Sequence, residues 1–168
     1  TFGGMRAQAS LWPEQIAEQP LAQVVEAQGT MDRAQALIML GFSATRLKGP
    51  GRMPMDIVAS VLSGMAGRLF QSVREKHGLS YTLGASHAPG WDPGYLLIYA
   101  ATKPEEQAKV LSLLNEQLQL AVDDGFTQEE VDEAKRYLIG IERLELQQLI
   151  GLAKRTALDE LYGLGYDA

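Results

Sequence analysis

The 168 residues are 46% hydrophobic and 21% charged, with no excess of Gly or Pro, a composition of ordinary globular proteins that argues against disorder. A chain of this length buries roughly 70% of the surface its unfolded form exposes, enough for one core. The net charge of −6, with Lys and Arg scattered along the chain, opposes a phosphate backbone and excludes nucleic acid as a partner, while the absence of Cys excludes disulfides, thiolate nucleophiles and thiolate metal sites.

Residues 1–20 carry Gly3, Gly4, Pro13 and Pro20 without a sustained period and read as a linker or lead-in segment. They lack the basic then apolar layout of a signal peptide, and no apolar run approaches the about 20 residues a membrane-crossing helix needs. The expectation is a soluble protein, cytoplasmic by preference because nothing in the sequence specifies another compartment. The chain runs from Thr1 to Ala168 without an evident closing element, so a piece of a longer protein is expected.

Leu21–Ala27 (LAQVVEA) and Ala34–Ala44 (AQALIMLGFSA) are apolar runs separated by Gly29 and Asp32, and both read as strands. After Gly49, Pro50, Gly51 and Pro54, the positions Ile57, Val58, Val61 and Leu62 fall on one helical face. Ser63-Gly64-Met65 interrupts that stripe, and Leu69, Phe70 and Val73 resume it until Gly78, which predicts a broken helix pair with a glycine stop. Leu79–His87 and Gly94–Thr102, joined by the turn-rich Ala88-Pro89-Gly90-Trp91-Asp92-Pro93, predict a β-hairpin.

Thr102 with Glu105, and Thr127 with Glu130, match the capping-box spacing at two helix starts. The first leads into the stripe Val110, Leu111, Leu114, Leu118, Ala121 and Val122, which ends before Gly125; the second leads into Val131, Ala134, Leu138 and Ile141. A further helix is expected near residues 148–162. The order β, β, α, α, β, β, α, α, α predicts an α/β protein of the α+β kind: a two-layer arrangement with a mainly antiparallel four-stranded sheet packed with helices, residues 21–168 forming a single domain.

Chemistry is sparse. A catalytic zinc takes three protein ligands, and helical zinc sites set two His on one face beside a Glu, whereas this chain has only His77 and His87, ten apart and outside any HxxEH or HExxH pattern. No metal ligand is assigned. His77 reads as a cation at a helix C-terminus, and His87 as an exposed polar residue beside a turn. No GxSxG sequence supports a Ser nucleophile, and Ser63–Arg68 (SGMAGR) lacks the Lys and Ser/Thr of a phosphate loop. Glu129 and Glu130 are explained by a first helical turn, and Met53, Met55 and Met65 by core filling.

What remains is the stretch from Gly67 to Ala85, GRLFQSVREKHGLSYTLGA. It resembles the pitrilysin/insulinase/mitochondrial-processing-peptidase family of zinc metallopeptidases, in which a helix bearing RLF and an Arg-Glu pair passes through Gly-Leu-x-Tyr into a strand. Gln35 with the strand ALIMLGF, the PEEQ helix, the G-x-T-x-x-E turn at Gly125, Thr127 and Glu130, and Ala134-Lys135 extend the similarity over roughly residues 20–163. Met65-Ala66 stands where family members often carry small hydroxyl residues before RLF.

The resemblance is to the later, non-catalytic domain of such proteases, which lacks HxxEH and closes a chamber. It implies that Arg74 and Tyr81 reach substrate bound at a zinc held by a homologous HxxEH-bearing domain, in cis or as a separate subunit, with a dimer among the assemblies this allows. The chain would bind peptides or unfolded chains, carry no cofactor of its own and be inactive alone. Chemically, a guanidinium offers a fork of donors to a peptide carbonyl, and a Tyr hydroxyl can donate to an oxyanion. Read without the resemblance, Arg74 is a solvated helix residue and Tyr81 a core aromatic. The alternative function is a proteolytically inactive scaffold or interaction module of the same family.

Overall fold

The computed structural model describes residues 22–64 and 66–165; the lead-in segment 1–20 lies outside them. The first strand is β1, Ala36–Ala44, followed by helix α1, Arg52–Ser63, and a π-helix, Phe70–Lys76. The hairpin is β2, Thr82–Ala88, and β3, Gly94–Thr102. A short 3₁₀ turn, Pro104–Glu106, leads into α2, Gln107–Asp123, then α3, Gln128–Leu146, and α4, Leu149–Leu161.

The sheet has three strands among the described residues, in the order β1-β3-β2, each pair antiparallel, where four were expected. Residues 22–27 form no strand. Their two large apolar side chains, Val24 and Val25, are 86% and 74% exposed, so neither is packed against the sheet.

Alternation decides which face of the sheet packs. The registers Ile38↔Ala100↔Leu83 and Leu40↔Ile98↔Ala85 set these side chains on one face, where they meet Leu62 of α1, Leu69, Val73 of the π-helix, and Val110 and Leu114 of α2. The other face carries Leu37, Met39 and Tyr95, all more than half exposed. The helices thus cover one side of the sheet, the two-layer outcome that the element order predicts.

Gly67 is where the broken helix turns. A Cβ at this position would lie 2.7–2.8 Å from the backbone atoms Gly64 N, Gly64 O and Leu62 O, a clash with main chain that only glycine avoids. The two expected capping boxes part ways. Thr127 and Glu130 bond reciprocally at the start of α3, whereas Thr102 still belongs to β3, where its hydroxyl donates to the Leu79 carbonyl at 2.7 Å, and the 3₁₀ turn that follows has Lys103 at its N-cap.

Candidate functional site

Arg74 and Tyr81 are brought together by the path of the chain between them. The π-helix is an uncommon conformation that recurs at functional sites, and here its end is closed by several bonds. The His77 Nδ1–H donates to the Ser72 carbonyl at 2.8 Å, Leu79 N–H to Val73 O at 3.0 Å and Gly78 N–H to Arg74 O at 2.8 Å. Gly78 makes the reversal at φ 64°, a left-handed conformation suited to glycine. His77 is therefore an end-stop of the helix, with one ring nitrogen committed to backbone.

The next two residues are tied to the end of β3. The buried Ser80 hydroxyl lies 2.7 Å from the Ala101 carbonyl oxygen and 2.9 Å from that of Thr82, its proton shared between them, and Thr102 holds Leu79. Tyr81 follows on this pinned backbone and is 84% exposed, in contrast to the core aromatic expected from its strand position alone. The Arg74 guanidinium carbon lies over the Tyr81 ring at 5.1 Å and over the Phe70 ring at 4.7 Å, both within the range of cation–π attraction. Among the described residues no carboxylate pairs with Arg74, so its N–H donors are not spent on an acid. Sequence reasoning did not assign Phe70; its spacing four residues before Arg74 on a helix was the available signal.

A second cluster braces the helix from its other end. Arg68 Nε–H and Nη2–H donate to the two Glu130 oxygens at 2.6 and 2.8 Å, and Nη2 also donates to the Gly125 carbonyl at 2.8 Å. The guanidinium lies 4.8 Å from the Phe126 ring centre. The Arg68 hydrogen bonds, aided by the Thr127 N–H and hydroxyl and opposed by burial, pull the Glu130 carboxyl from its usual 4.5 to about 2; the same pairing pushes the Arg68 pKa up. A solvent-open groove of about 330 Å³ flanks this pair. It includes neither Arg74 nor Tyr81, so it forms the surroundings of the bridge and not the candidate site.

His87 is not the exposed residue its turn position suggests. Its side chain is 1% exposed, because the register His87↔Leu96 turns it to the helix-covered face. There Nδ1 bonds Asp56 Oδ1 of α1 at 2.7 Å and Nε2 bonds Thr45 Oγ1 at 3.1 Å. With both His87 nitrogens and His77 Nδ1 committed, and no metal-ligating cluster among the described residues, the donor set here does not fit a zinc. Among the described residues, no helix is long and apolar enough to cross a membrane.

Residues 2–138 match the family model described as the peptidase M16 inactive domain. An uncharacterized zinc protease of Streptomyces coelicolor is 32% identical over 157 residues, covering 86% of this chain and 34% of that protein. An uncharacterized zinc protease of Bacillus subtilis is 30% identical over 128 residues, 76% of this chain and 31% of its own. Among solved structures, a peptidase M16 inactive domain from Pseudomonas fluorescens is similar at a TM-score of 0.61 and 29% identity, over 64% of this chain and 27% of that one. An inactive peptidase domain from Bordetella parapertussis reaches a TM-score of 0.70 at 20% identity, over 82% of this chain and 76% of that one. The chain spans about a third of the length of the curated relatives it matches.

Proposed function

The chain belongs to the peptidase M16 inactive domain family, and on that footing we propose that it is the non-catalytic, substrate-binding and chamber-forming domain of a zinc-dependent endopeptidase acting on peptides or unfolded chains. Zinc belongs, in this reading, to a homologous HxxEH-bearing domain of the same chain or of a partner subunit. The lead-in at residues 1–20 then joins residues 21–168, which act as one unit.

The observation that carries the reading is the Arg74 guanidinium, held over two aromatic rings and paired with no described carboxylate. An arginine that pairs with no carboxylate retains its donors for an incoming acceptor, and a peptide carbonyl is the acceptor that every residue of a substrate presents. Tyr81, exposed beside it, offers a hydroxyl that can donate to an oxyanion developing on substrate lying against both groups. The open sheet face with Leu37, Met39 and Tyr95 suits a chamber wall. The outer edge of β1, which has β3 as its one described partner, has main-chain groups able to pair with an extended peptide.

The test is peptide cleavage by the complete protease carrying Arg74→Ala or Tyr81→Phe. Removal of a charged or oxyanion-directed hydrogen bond lowers kcat/KM by about 10- to 100-fold. Unchanged rates in both variants would overturn the assignment and leave the scaffold function standing.

A further inference from the structure

We propose that Phe70 is the positioning residue for Arg74, acting through its ring and not through contact with substrate; this deepens the role given to Arg74 above and rests on it. An arginine side chain has four rotatable bonds, and ordering a rotamer-rich side chain on binding costs about 0.5–1.5 kcal/mol. Side chains of this kind are commonly held by a carboxylate, but a carboxylate would occupy the donors that a substrate needs. Aromatic rings hold the cation by its face and leave its N–H edge available. Arg74 has that arrangement: Phe70 at 4.7 Å and Tyr81 at 5.1 Å, with no described acid.

The two rings differ in what they can contribute. Tyr81 is 84% exposed and reaches Arg74 from beyond the Gly78 reversal. Phe70 is half-buried and belongs to the same π-helix, next to Leu69, which is fully buried. Phe70 is therefore the anchored wall, and Tyr81 closes the other contact from the strand side. Because the arrangement needs a planar, delocalised cation, lysine at position 74 would keep the charge and lose the fit.

The experiment is a double-mutant cycle on the complete protease with Phe70→Leu and Arg74→Met, together with Phe70→Tyr. A cation–π contact of this class sets the expected loss for Phe70→Leu at about 3- to 30-fold in kcat/KM. Phe70→Tyr, which restores a ring, recovers most of that activity. In the Arg74→Met background, Phe70→Leu causes no further loss, because the group it positions is gone. An equal loss in both backgrounds would overturn the proposal, since Phe70 would then act on substrate directly. A contact readout that does not depend on activity is the ring-current shift of the Arg74 Cδ protons by NMR, lost in Phe70→Leu and retained in Phe70→Tyr. Loss of that shift with full activity also overturns the positioning role while leaving Arg74 itself in place. If Arg74→Met alone leaves cleavage unchanged, the reading of the whole site fails and the proposal falls with it.

Discussion

Replacing Glu130 by Gln probes how the broken helix is tied to the α2–α3 turn. Gln keeps the size and, with its oxygen in the Oε2 position, the acceptor that the capping box with Thr127 requires, so the substitution removes the charge that Arg68 grips and the second acceptor, Oε1, that takes the Arg68 Nε–H. The carboxyl is held at about 2, against an ordinary 4.5. At about 1.4 kcal/mol per pH unit this bounds the contribution near 3.5 kcal/mol. The pair is 19% and 29% exposed, and screening by water brings the expected loss to about 1–2 kcal/mol.

Because the folded carboxyl has the lower pKa, this stability is fully present above about pH 4.5 and is lost as the pH falls through about 2. Urea unfolding followed by far-UV circular dichroism, at pH values from 7 down to 2, reads the difference directly. The native protein exceeds Glu130→Gln by about 1–2 kcal/mol at pH 7, and the gap narrows steadily toward pH 2, where the folded carboxyl is about half protonated. A gap that stays constant over this range would refute the reasoning, since it would trace the loss to packing or capping and not to the ion pair.

Gly67→Ala introduces a Cβ within 2.8 Å of three backbone atoms, and the required shift costs about 1–3 kcal/mol, read as a fall in thermal midpoint of about 2–4 °C per kcal/mol for a chain of this size; an unchanged midpoint would show that the turn relaxes freely. Asp56→Ala leaves the buried His87 Nδ1 without its acceptor at 2.7 Å and is expected to cost about 1–3 kcal/mol in urea unfolding. A change under about 0.5 kcal/mol would mean that water replaces the carboxylate there.

The sequence by itself determined the element order from residue 36 onward, the glycine stop at Gly78, the capping box at Thr127 and Glu130, and the stretch that carries Arg74 and Tyr81. These features are local: a helical period, a cap or a turn is specified by residues within one or two turns of each other, and their side chains announce it. Residues 22–27 have the apolar content of a strand but form none, and Val24 and Val25 stay exposed; the Thr102 pattern does not cap a helix because β3 runs through Thr102 and the 3₁₀ turn starts only after Lys103.

Only the tertiary structure decided the long-range partners. Arg68 and Glu130 are 62 residues apart, and the Thr45–His87–Asp56 chain joins a loop, a strand and a helix; no spacing in the sequence predicts either, since packing of the helices on the sheet brings them together. The same packing turned Arg74 from a residue with several possible partners into one held by Phe70 and Tyr81 alone among the described residues. The residues of the proposed site are thus legible in one stretch of chain, while the partners of Arg74 follow from how the fold packs around it.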